Sequence, residues 1–306
     1  MLAAPLLRIQ MRPFVRAALA LAVIAAAGGW WLSAPDRLPA SALDDISGDA
    51  TRGEQVFWAG GCASCHAASD AMGDAKLKLG GGQRFPSPFG TFIAPNISPD
   101  PENGIGGWSA LDLANAMTRG TSPEGEHYYP VFPYASYAKA SLQDVADLHA
   151  FLMTLPPVAT PSAPHEVSFP FNIRRSLFGW KFLYLNRDWV VAGDLTAEEE
   201  RGRYLVEALG HCGECHTPRT ALGGMDRSRW LGGGPVPAGK GRFPNITPAK
   251  LTWSAAEIAE YLKSGFTPDF DSAGGHMALV VENMAHLPPE DRAAVAAYLK
   301  KVPPVE

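Results

Sequence analysis

The feature that most constrains this chain is a five-residue pattern that occurs twice. Cys-x-x-Cys-His stands at 62–66 and again at 212–216, and the two copies contain all four cysteines of the chain. Flanking motifs repeat in the same order, 145 to 150 residues apart: Arg52-Gly53 with Arg201-Gly202, Pro95-Asn96-Ile97 with Pro244-Asn245-Ile246, Trp108-Ser109 with Trp253-Ser254, and 150–158 with 297–305. An ordered repeat of this length indicates two tandem copies of one domain.

The repeat also predicts how the chain divides, since 306 residues leave room for two domains, each with its own core. We expect an N-terminal segment at 1–40, a first domain at 41–158, a connector at 159–196 and a second domain at 197–306. The connector ends with apolar residues near helical spacing: Leu177, Trp180, Phe182, Leu183 and Leu185. It is predicted to pack in the seam between the domains, with a partner-binding helix as the alternative.

Both copies have the pattern of helix and loop. Ser141 is placed to cap a helix whose apolar face includes Val145 and Leu152, and other helices are expected to stop at Gly120 and Gly265. Alternation typical of strands is scarce, so we expect an all-α fold. Small helical domains with long Gly- and Pro-rich connections normally need a cofactor to fill their interior.

The spacing within the repeated motif indicates the chemistry. Two thiols three residues apart on a helical turn can form thioether bonds to both vinyl groups of one haem, and the adjacent histidine then reaches the iron. The sequence therefore predicts two covalently bound haem c groups, held by Cys62, Cys65 and His66 and by Cys212, Cys215 and His216. Zinc ribbons, thioredoxin-like dithiols and disulfides also use Cys-x-x-Cys. The two Cys-x-x-Cys pairs of a zinc ribbon lie much closer together in sequence than the two pairs of this chain, however. A dithiol or a disulfide does not explain a histidine in both copies.

These residues resemble a known family. The body from about 44 to 306 is similar to dihaem c-type cytochromes that serve as membrane-attached electron-transfer subunits beside periplasmic dehydrogenases. It resembles the first two haem domains of the three-haem cytochrome subunit of bacterial alcohol and gluconate dehydrogenases. The resemblance rests on both haem motifs, on FGTFIAPNISPDPENGIGGWS and HYYPVFPYASY, and on HCGECHTPR with LGGG and PNIT. It implies one class I cytochrome c fold per haem and a periplasmic location.

The second copy offers a sixth iron ligand. Met277 lies 61 residues after His216 and matches the ligand methionine of the family. A thioether opposite a histidine raises the potential of a cytochrome c. Met284 and His276 are the alternatives, and Met284 is the better candidate for a core residue.

The first copy departs from this pattern. Counted from the repeated tryptophans, Phe132 takes the place of Met277, and phenylalanine cannot bind iron. The alcohol dehydrogenase relatives carry methionine in this segment. We expect His127, also 61 residues after its proximal histidine, to be the metal ligand of haem 1. A five-coordinate haem and ligation by another residue are the alternatives, and Met117 and Met153 both have core-like spacing.

Other matched residues are expected to support the haems. Trp108, Trp253, Asn96 and Asn245 would line the pockets, Arg84 and Arg242 would meet propionates, and Pro218 would offer its carbonyl to His216. Ordinary packing or turn formation is the alternative for each of them.

The N-terminus has the pattern of an export segment. Residues 17–32 carry no charge, follow Arg8, Arg12 and Arg16, and end near Trp30-Trp31, as aromatic residues do at membrane interfaces. The two apolar residues before Arg16 extend this run toward the length of a membrane span, and no good small-x-small cleavage site follows. We expect an uncleaved anchor in the inner (cytoplasmic) membrane with the body in the periplasm. A cleaved signal and a buried core helix are the alternatives.

Composition narrows the function. The chain has 26 Lys and Arg against 31 Asp and Glu, and three of the arginines lie in the first 32 residues, which hold no Asp or Glu, so the body is too acidic to favour nucleic acid. No Ser/His/Asp arrangement or dinucleotide loop is recognisable, so we expect no catalysis of substrate chemistry.

The expected function is a dihaem cytochrome c that takes electrons from a periplasmic dehydrogenase and passes them to a quinone, a soluble cytochrome or an oxidase. The alternative is a haem-based enzyme or gas sensor with an open iron at haem 1.

Overall fold

The computed structural model describes residues 13–237 and 239–306. Arg8 and Arg12, the first two basic residues of the predicted export segment, lie outside these ranges. Its first element, α1 (Pro13–Leu32), contains the whole apolar run. None of its residues is buried, and with a mean hydropathy of 1.7 it is long and apolar enough to cross a membrane. Membrane anchors and secretory signal sequences share these properties.

The first domain places the first motif between its longer helices. Its helices are α2 (Ala50–Ala59), α3 (Cys62–His66), α4 (Ala110–Arg119), α5 (Tyr134–Tyr137) and α6 (Leu142–Leu152). Strands β1 (Arg84–Ser87) and β2 (Gly90–Ile93) form an antiparallel hairpin. The Ser141 side chain caps α6, and Gly120 ends α4 in the left-handed region at φ +60°, as predicted.

The connector contains a short helix, α7 (Leu177–Tyr184), that contacts both domains. Trp180 Nε1 donates to the Leu222 carbonyl at 3.1 Å, and the Trp180 ring lies edge-on to Tyr134 at 5.8 Å. This agrees with packing in the seam. Phe182 is 81% exposed and Leu183 58% exposed, however, so these two apolar residues of the connector do not pack there. A single short helix presents only one face to the domains.

The second domain repeats the order of the first. It contains α8 (Ala197–Tyr204), which continues into a π-helical turn (Leu205–Leu209), then α9 (Gly213–His216), α10 (Ala255–Ser264), α11 (Gly275–Ala285) and α12 (Pro289–Leu299). Strands β3 (Gly234–Pro235) and β4 (Arg242–Phe243) pair antiparallel. The fold is thus mostly helical, and the two hairpins correct the all-α prediction. Strands of two to four residues are too short to show an alternating pattern.

In each domain the first and last long helices cross at a glycine. A Cβ atom on Gly53 of α2 would lie 1.9 Å from the Asp147 carbonyl oxygen of α6. A Cβ atom on Gly202 of α8 would lie 1.9 Å from the Ala294 carbonyl oxygen of α12. Only glycine permits backbone contact this close, which explains why each motif is preceded by an Arg-Gly pair.

The arginine of each pair ties the same two helices together. Arg52 Nε lies 2.7 Å from Asp147 Oδ2, and its Nη2 lies 2.8 Å from Oδ1. Arg201 makes the same two-point ion pair with Asp291, at 2.8 Å for both bonds. The buried carboxylates are therefore neutralised and hydrogen-bonded, and the repeat is preserved in packing as well as in sequence.

Candidate haem-binding sites

Each Cys-x-x-Cys-His motif forms one helical turn entered from a left-handed residue. Gly61 at φ +61° precedes Cys62, and His211 at φ +39° precedes Cys212. All four cysteines are free. Because residues three apart on a helix share one face, the two thiols of a motif lie on the same side of the turn. This arrangement fits thioether attachment to one macrocycle.

The two motif histidines are oriented by proline carbonyls. His66 Nδ1 lies 2.8 Å from the Pro95 carbonyl oxygen, and His216 Nδ1 lies 2.8 Å from that of Pro244. A carbonyl only accepts, so Nδ1 carries the proton and Nε2 keeps its lone pair for a metal. Burial lowers the pKa of both imidazoles, and the bond to proline opposes this. The expectation that Pro218 supplies this carbonyl is wrong, since the carbonyl comes from the more distant Pro244.

The repeated asparagines hold these proline loops in place. Asn96 Nδ2 donates to the Val158 carbonyl at 2.6 Å, and Asn245 Nδ2 donates to the Val305 carbonyl at 2.6 Å. They tie the loop that supplies the proline carbonyl to the segment after the last helix of the same domain. These contacts show that the two asparagines position the loop beside the motif histidine. The prediction that they line the pockets did not include this role.

The other predicted supporting residues have ordinary contacts. Trp108 and Trp253 are half-buried against the core, and their carbonyls accept from His149 and Lys300. Arg84 forms an ion pair with Glu166 at the surface.

The tertiary structure aligns Phe132 with Met277. An isolated β-bridge pairs Thr121 with His127 in the first domain, and the related bridge pairs Phe266 with Ser272 in the second. Phe132 and Met277 each follow the bridge by five residues. Met277 lies on α11, half-buried against the core, and the Phe132 ring packs against Tyr137 at 5.8 Å. The tryptophan-based count and the bridges therefore agree on this pairing.

The alternative methionines occupy the core. Met284 is 3% exposed and Met117 is 4% exposed, while Met153 packs against the same cluster of buried residues. These positions match the core role that their spacing suggests.

The structure places His127 beside the N-terminal helix. Its ring is 2% exposed, and Nε2 lies 3.0 Å from the Ser33 carbonyl oxygen, just after the end of α1. It lines a cavity with Arg119 and Lys181, and none of Cys62, Cys65 and His66 is among the residues that line this cavity. Ligation of haem 1 by His127 stays a prediction, and these contacts do not support it.

The two motifs meet at the interface between the domains. Asn283 Nδ2 of α11 donates to Ser64 Oγ at 2.7 Å, and Ser136 Oγ of α5 donates to Glu214 Oε1 at 3.0 Å. Ser64 and Glu214 occupy the same place, directly before the second cysteine of each motif. Each domain thus reaches the motif of the other from the helix at its aligned position: α11 contains Met277, and α5 begins two residues after Phe132. Sequence reasoning missed these four residues, because nothing in their spacing pairs them.

Further contacts close this interface. The Trp58 and His286 rings stack at 3.7 Å, Lys76 forms an ion pair with Glu282, and His211 Nε2 lies 3.3 Å from the Gly60 carbonyl oxygen. Desolvation, together with the nearby Cys215 thiol, raises the pKa of Cys65 to about 11. The second cysteines of the two motifs are therefore close enough to interact electrostatically.

Known proteins are similar to this chain in sequence. The sequence model of the cytochrome c family matches residues 50–156 and 199–303. Over 296 residues the chain is 62% identical to "Diheme cytochrome c-type" of Cereibacter sphaeroides. This alignment covers 97% of this chain and 100% of that protein. It is 36% identical over 260 residues to the fructose dehydrogenase cytochrome subunit of Gluconobacter japonicus, covering 83% of this chain and 52% of that subunit.

A third relative matches a similar share of this chain. The chain is 33% identical over 280 residues to the gluconate 2-dehydrogenase cytochrome c subunit of Pantoea cypripedii, covering 86% of this chain and 62% of that subunit. The chain thus spans between half and two thirds of the two dehydrogenase subunits, and the predicted resemblance is confirmed. Since each matched range contains one Cys-x-x-Cys-His motif with its oriented histidine, the chain belongs to the cytochrome c family, with two cytochrome c domains in tandem.

Proposed function

We propose that this chain is a dihaem electron carrier that accepts electrons from a dehydrogenase and delivers them to a respiratory acceptor. The observation that carries the proposal is the meeting of both haem motifs at one interface, through Asn283 with Ser64 and Ser136 with Glu214. Electrons entering at one domain then have a short route to the other.

Each motif supplies a complete proximal site. Cys62 and Cys65 would attach one haem and Cys212 and Cys215 the other, with the Nε2 atoms of His66 and His216 facing the iron. Haem bound there supplies an iron that changes between its ferric and ferrous states. The proline carbonyls raise the basicity of both imidazoles, because each accepts the Nδ1 proton.

The two domains differ on the opposite side of the haem. Met277 would be the sixth ligand of haem 2, and thioether ligation favours ferrous iron. Phe132 occupies the related position at haem 1 and offers no ligand atom. Haem 2 should therefore have the higher potential, with electrons passing from the donor to haem 1, then to haem 2 and the acceptor.

The location follows from α1 and from the relatives. α1 would anchor the chain in the inner membrane with both domains in the periplasm, which accords with its exposed apolar surface. Two relatives are cytochrome subunits of fructose and gluconate dehydrogenases, so a periplasmic dehydrogenase is the proposed donor. The proposed acceptor is a quinone, a soluble cytochrome or an oxidase.

Phe132 also favours a second candidate function. With an aromatic ring at the ligand position and His127 bonded to Ser33, the iron of haem 1 would be open to a small gas molecule. Added carbon monoxide separates the two functions. A large shift in the ferrous spectrum at one haem supports an open site, and an unchanged spectrum supports electron transfer alone.

Haem counting and electron delivery test the proposed function. The full chain should retain two haems through acidic acetone extraction, and the double variant Cys62→Ala/Cys65→Ala should retain one. The matched variant Cys212→Ala/Cys215→Ala should lose the other haem instead. The reduced wild type should pass electrons to a soluble c-type cytochrome or a quinone. One haem per wild-type chain, or no electron transfer to a soluble c-type cytochrome, a quinone or an oxidase, would contradict the proposal.

A further inference from the structure

A cavity of about 310 Å³ lies where the end of α1 meets the first domain and the connector. Ala34, two residues beyond α1, lines it together with Arg119 at the end of α4 and Phe182 of α7. The cysteines and histidines of the two Cys-x-x-Cys-His motifs do not line it, so it lies apart from both motifs. With α1 in a membrane, this cavity lies at the membrane surface and within reach of lipid headgroups.

Positive charge predominates in the lining. Arg119, Lys181 and Arg187 face a single carboxylate, Asp36, which lies 3.6 Å from Arg119 Nε and 3.5 Å from Arg187 Nη2. Burial lowers the pKa of Lys181 to about 8, against the effect of Asp36, so this side chain is still mostly charged at neutral pH. One carboxylate shared by two guanidinium groups leaves an excess of positive charge that an anion would neutralise.

Two buried polar atoms in this lining have no hydrogen-bond partner among the described residues, Arg119 Nε and His127 Nδ1. The Ser33 carbonyl bonded to His127 Nε2 only accepts, so Nε2 carries the proton and Nδ1 is a lone pair that needs a donor. A buried polar atom without a partner is costly, and a bound ligand removes that cost. A ligand that combines an anion with a hydroxyl group satisfies both atoms.

The remaining wall is apolar and open. Phe182 lines the cavity and is 81% exposed. The connector that carries it is tied to the end of α1, because Arg175 donates to the Trp30 carbonyl at 3.2 Å and its guanidinium lies 4.0 Å over the Trp30 ring. An exposed phenylalanine next to a charged cavity, on a segment fastened to an apolar helix, suits a ligand with an acyl chain.

We propose that this cavity binds the headgroup of an anionic phospholipid that carries hydroxyl groups, of the phosphatidylglycerol type. The phosphate meets Arg119, Lys181 and Arg187, a headgroup hydroxyl donates to His127 Nδ1, and an acyl chain covers Phe182. The bound lipid holds the first domain and the connector against the membrane beside α1. This inference does not depend on the haems, so its failure would leave the proposed function intact.

The test uses the full haem-loaded chain in a nonionic detergent. Short-chain phosphatidylglycerol, phosphatidylcholine, phosphatidic acid and inorganic phosphate are compared by native mass spectrometry and by thermal unfolding. We expect one phosphatidylglycerol per chain and a raised unfolding temperature, with no such effect from phosphatidylcholine. The variant Arg187→Gln should bind about tenfold more weakly, since it loses one charged contact. The variant Arg229→Gln, at an exposed arginine of the second domain, should bind as the wild type does.

A second variant examines the hydroxyl contact. His127→Phe should remove the preference for phosphatidylglycerol over phosphatidic acid, and a cooperative thermal unfolding transition reports whether this variant folds. If His127→Phe does not fold, the comparison of lipid binding by Arg187→Gln and by Arg229→Gln tests the proposal instead. Equal binding of phosphatidylcholine or of inorganic phosphate would overturn the proposal. The proposal would also be overturned if a short-chain quinone displaced phosphatidylglycerol and bound the wild type and Arg187→Gln with the same affinity.

Discussion

Asn283 of the second domain donates to the hydroxyl of Ser64, inside the haem motif of the first domain, at 2.7 Å. Ser136 reaches Glu214 in the opposite direction, at 3.0 Å. This exchange joins the domains through their haem-binding segments, so their relative position is set where electrons would cross. A change at the interface should therefore alter electron transfer without touching any haem ligand.

The double variant Asn283→Ala/Ser136→Ala tests that relationship. Each lost hydrogen bond should weaken the interface by about 1 kcal/mol, because both partners are held in a partly buried contact. We expect separate unfolding of the two domains by calorimetry and slower electron equilibration between the haems, with both haem spectra unchanged. Ser264→Ala, which removes a surface hydrogen bond to Glu260, is the control and should have neither effect. Unchanged equilibration in the double variant would show that the interface does not set the rate.

Reciprocal substitutions at the aligned positions test the sixth ligands. Met277→Ala should lower the potential of haem 2 and abolish the weak thioether-to-iron charge-transfer absorption of the ferric protein. Phe132→Met should create that absorption at haem 1 and raise its potential, because both positions follow the same bridge by five residues. A redox titration with absorption spectroscopy measures both effects. A charge-transfer band that survives Met277→Ala would reject Met277 as the ligand.

The glycine crossings should be intolerant of any side chain. Gly53→Ala and Gly202→Ala each place a methyl group 1.9 Å from a carbonyl oxygen, so the helices must separate. We expect each to cost about 3 kcal/mol in the unfolding free energy of its own domain. Denaturant unfolding followed at the haem absorption measures the loss. Gly107→Ala, with open space around its Cβ position, should be nearly neutral, and an equal loss there would disprove the packing argument.

The stability should fall in mild acid because of His211. Burial lowers the pKa of this imidazole in the folded chain below its ordinary 6.5, although Glu214 and the Gly60 carbonyl oppose the shift. The unfolded chain then binds the proton more readily, so this contribution is fully present above pH 6.5 and decreases as the pH falls toward the folded pKa. His211→Gln keeps a donor for Gly60 and removes the titration, so its unfolding free energy should depend less on pH between about 5 and 8. An identical pH dependence in wild type and variant would assign the effect to other groups.

Several local features could be predicted from sequence because they depend on neighbouring residues. Ser141 caps α6 and Gly120 ends α4, since capping and left-handed stops involve only one helical turn. Both Cys-x-x-Cys-His turns form as expected for the same reason. The hairpins were not predicted, because two to four residues do not establish a period.

The sequence by itself determined the duplication, the two haem motifs and the difference between Phe132 and Met277, because residue types at regular spacings record all three. Only the tertiary structure decided which carbonyl orients His216, where His127 lies, and how Ser64 meets Asn283. These contacts join segments from 28 to 219 residues apart, and their distances depend on how helices pack rather than on spacing along the chain. Pro218 is the proline nearest to His216 in sequence, but the chain folds so that the Pro244 carbonyl lies at hydrogen-bond distance from the His216 ring.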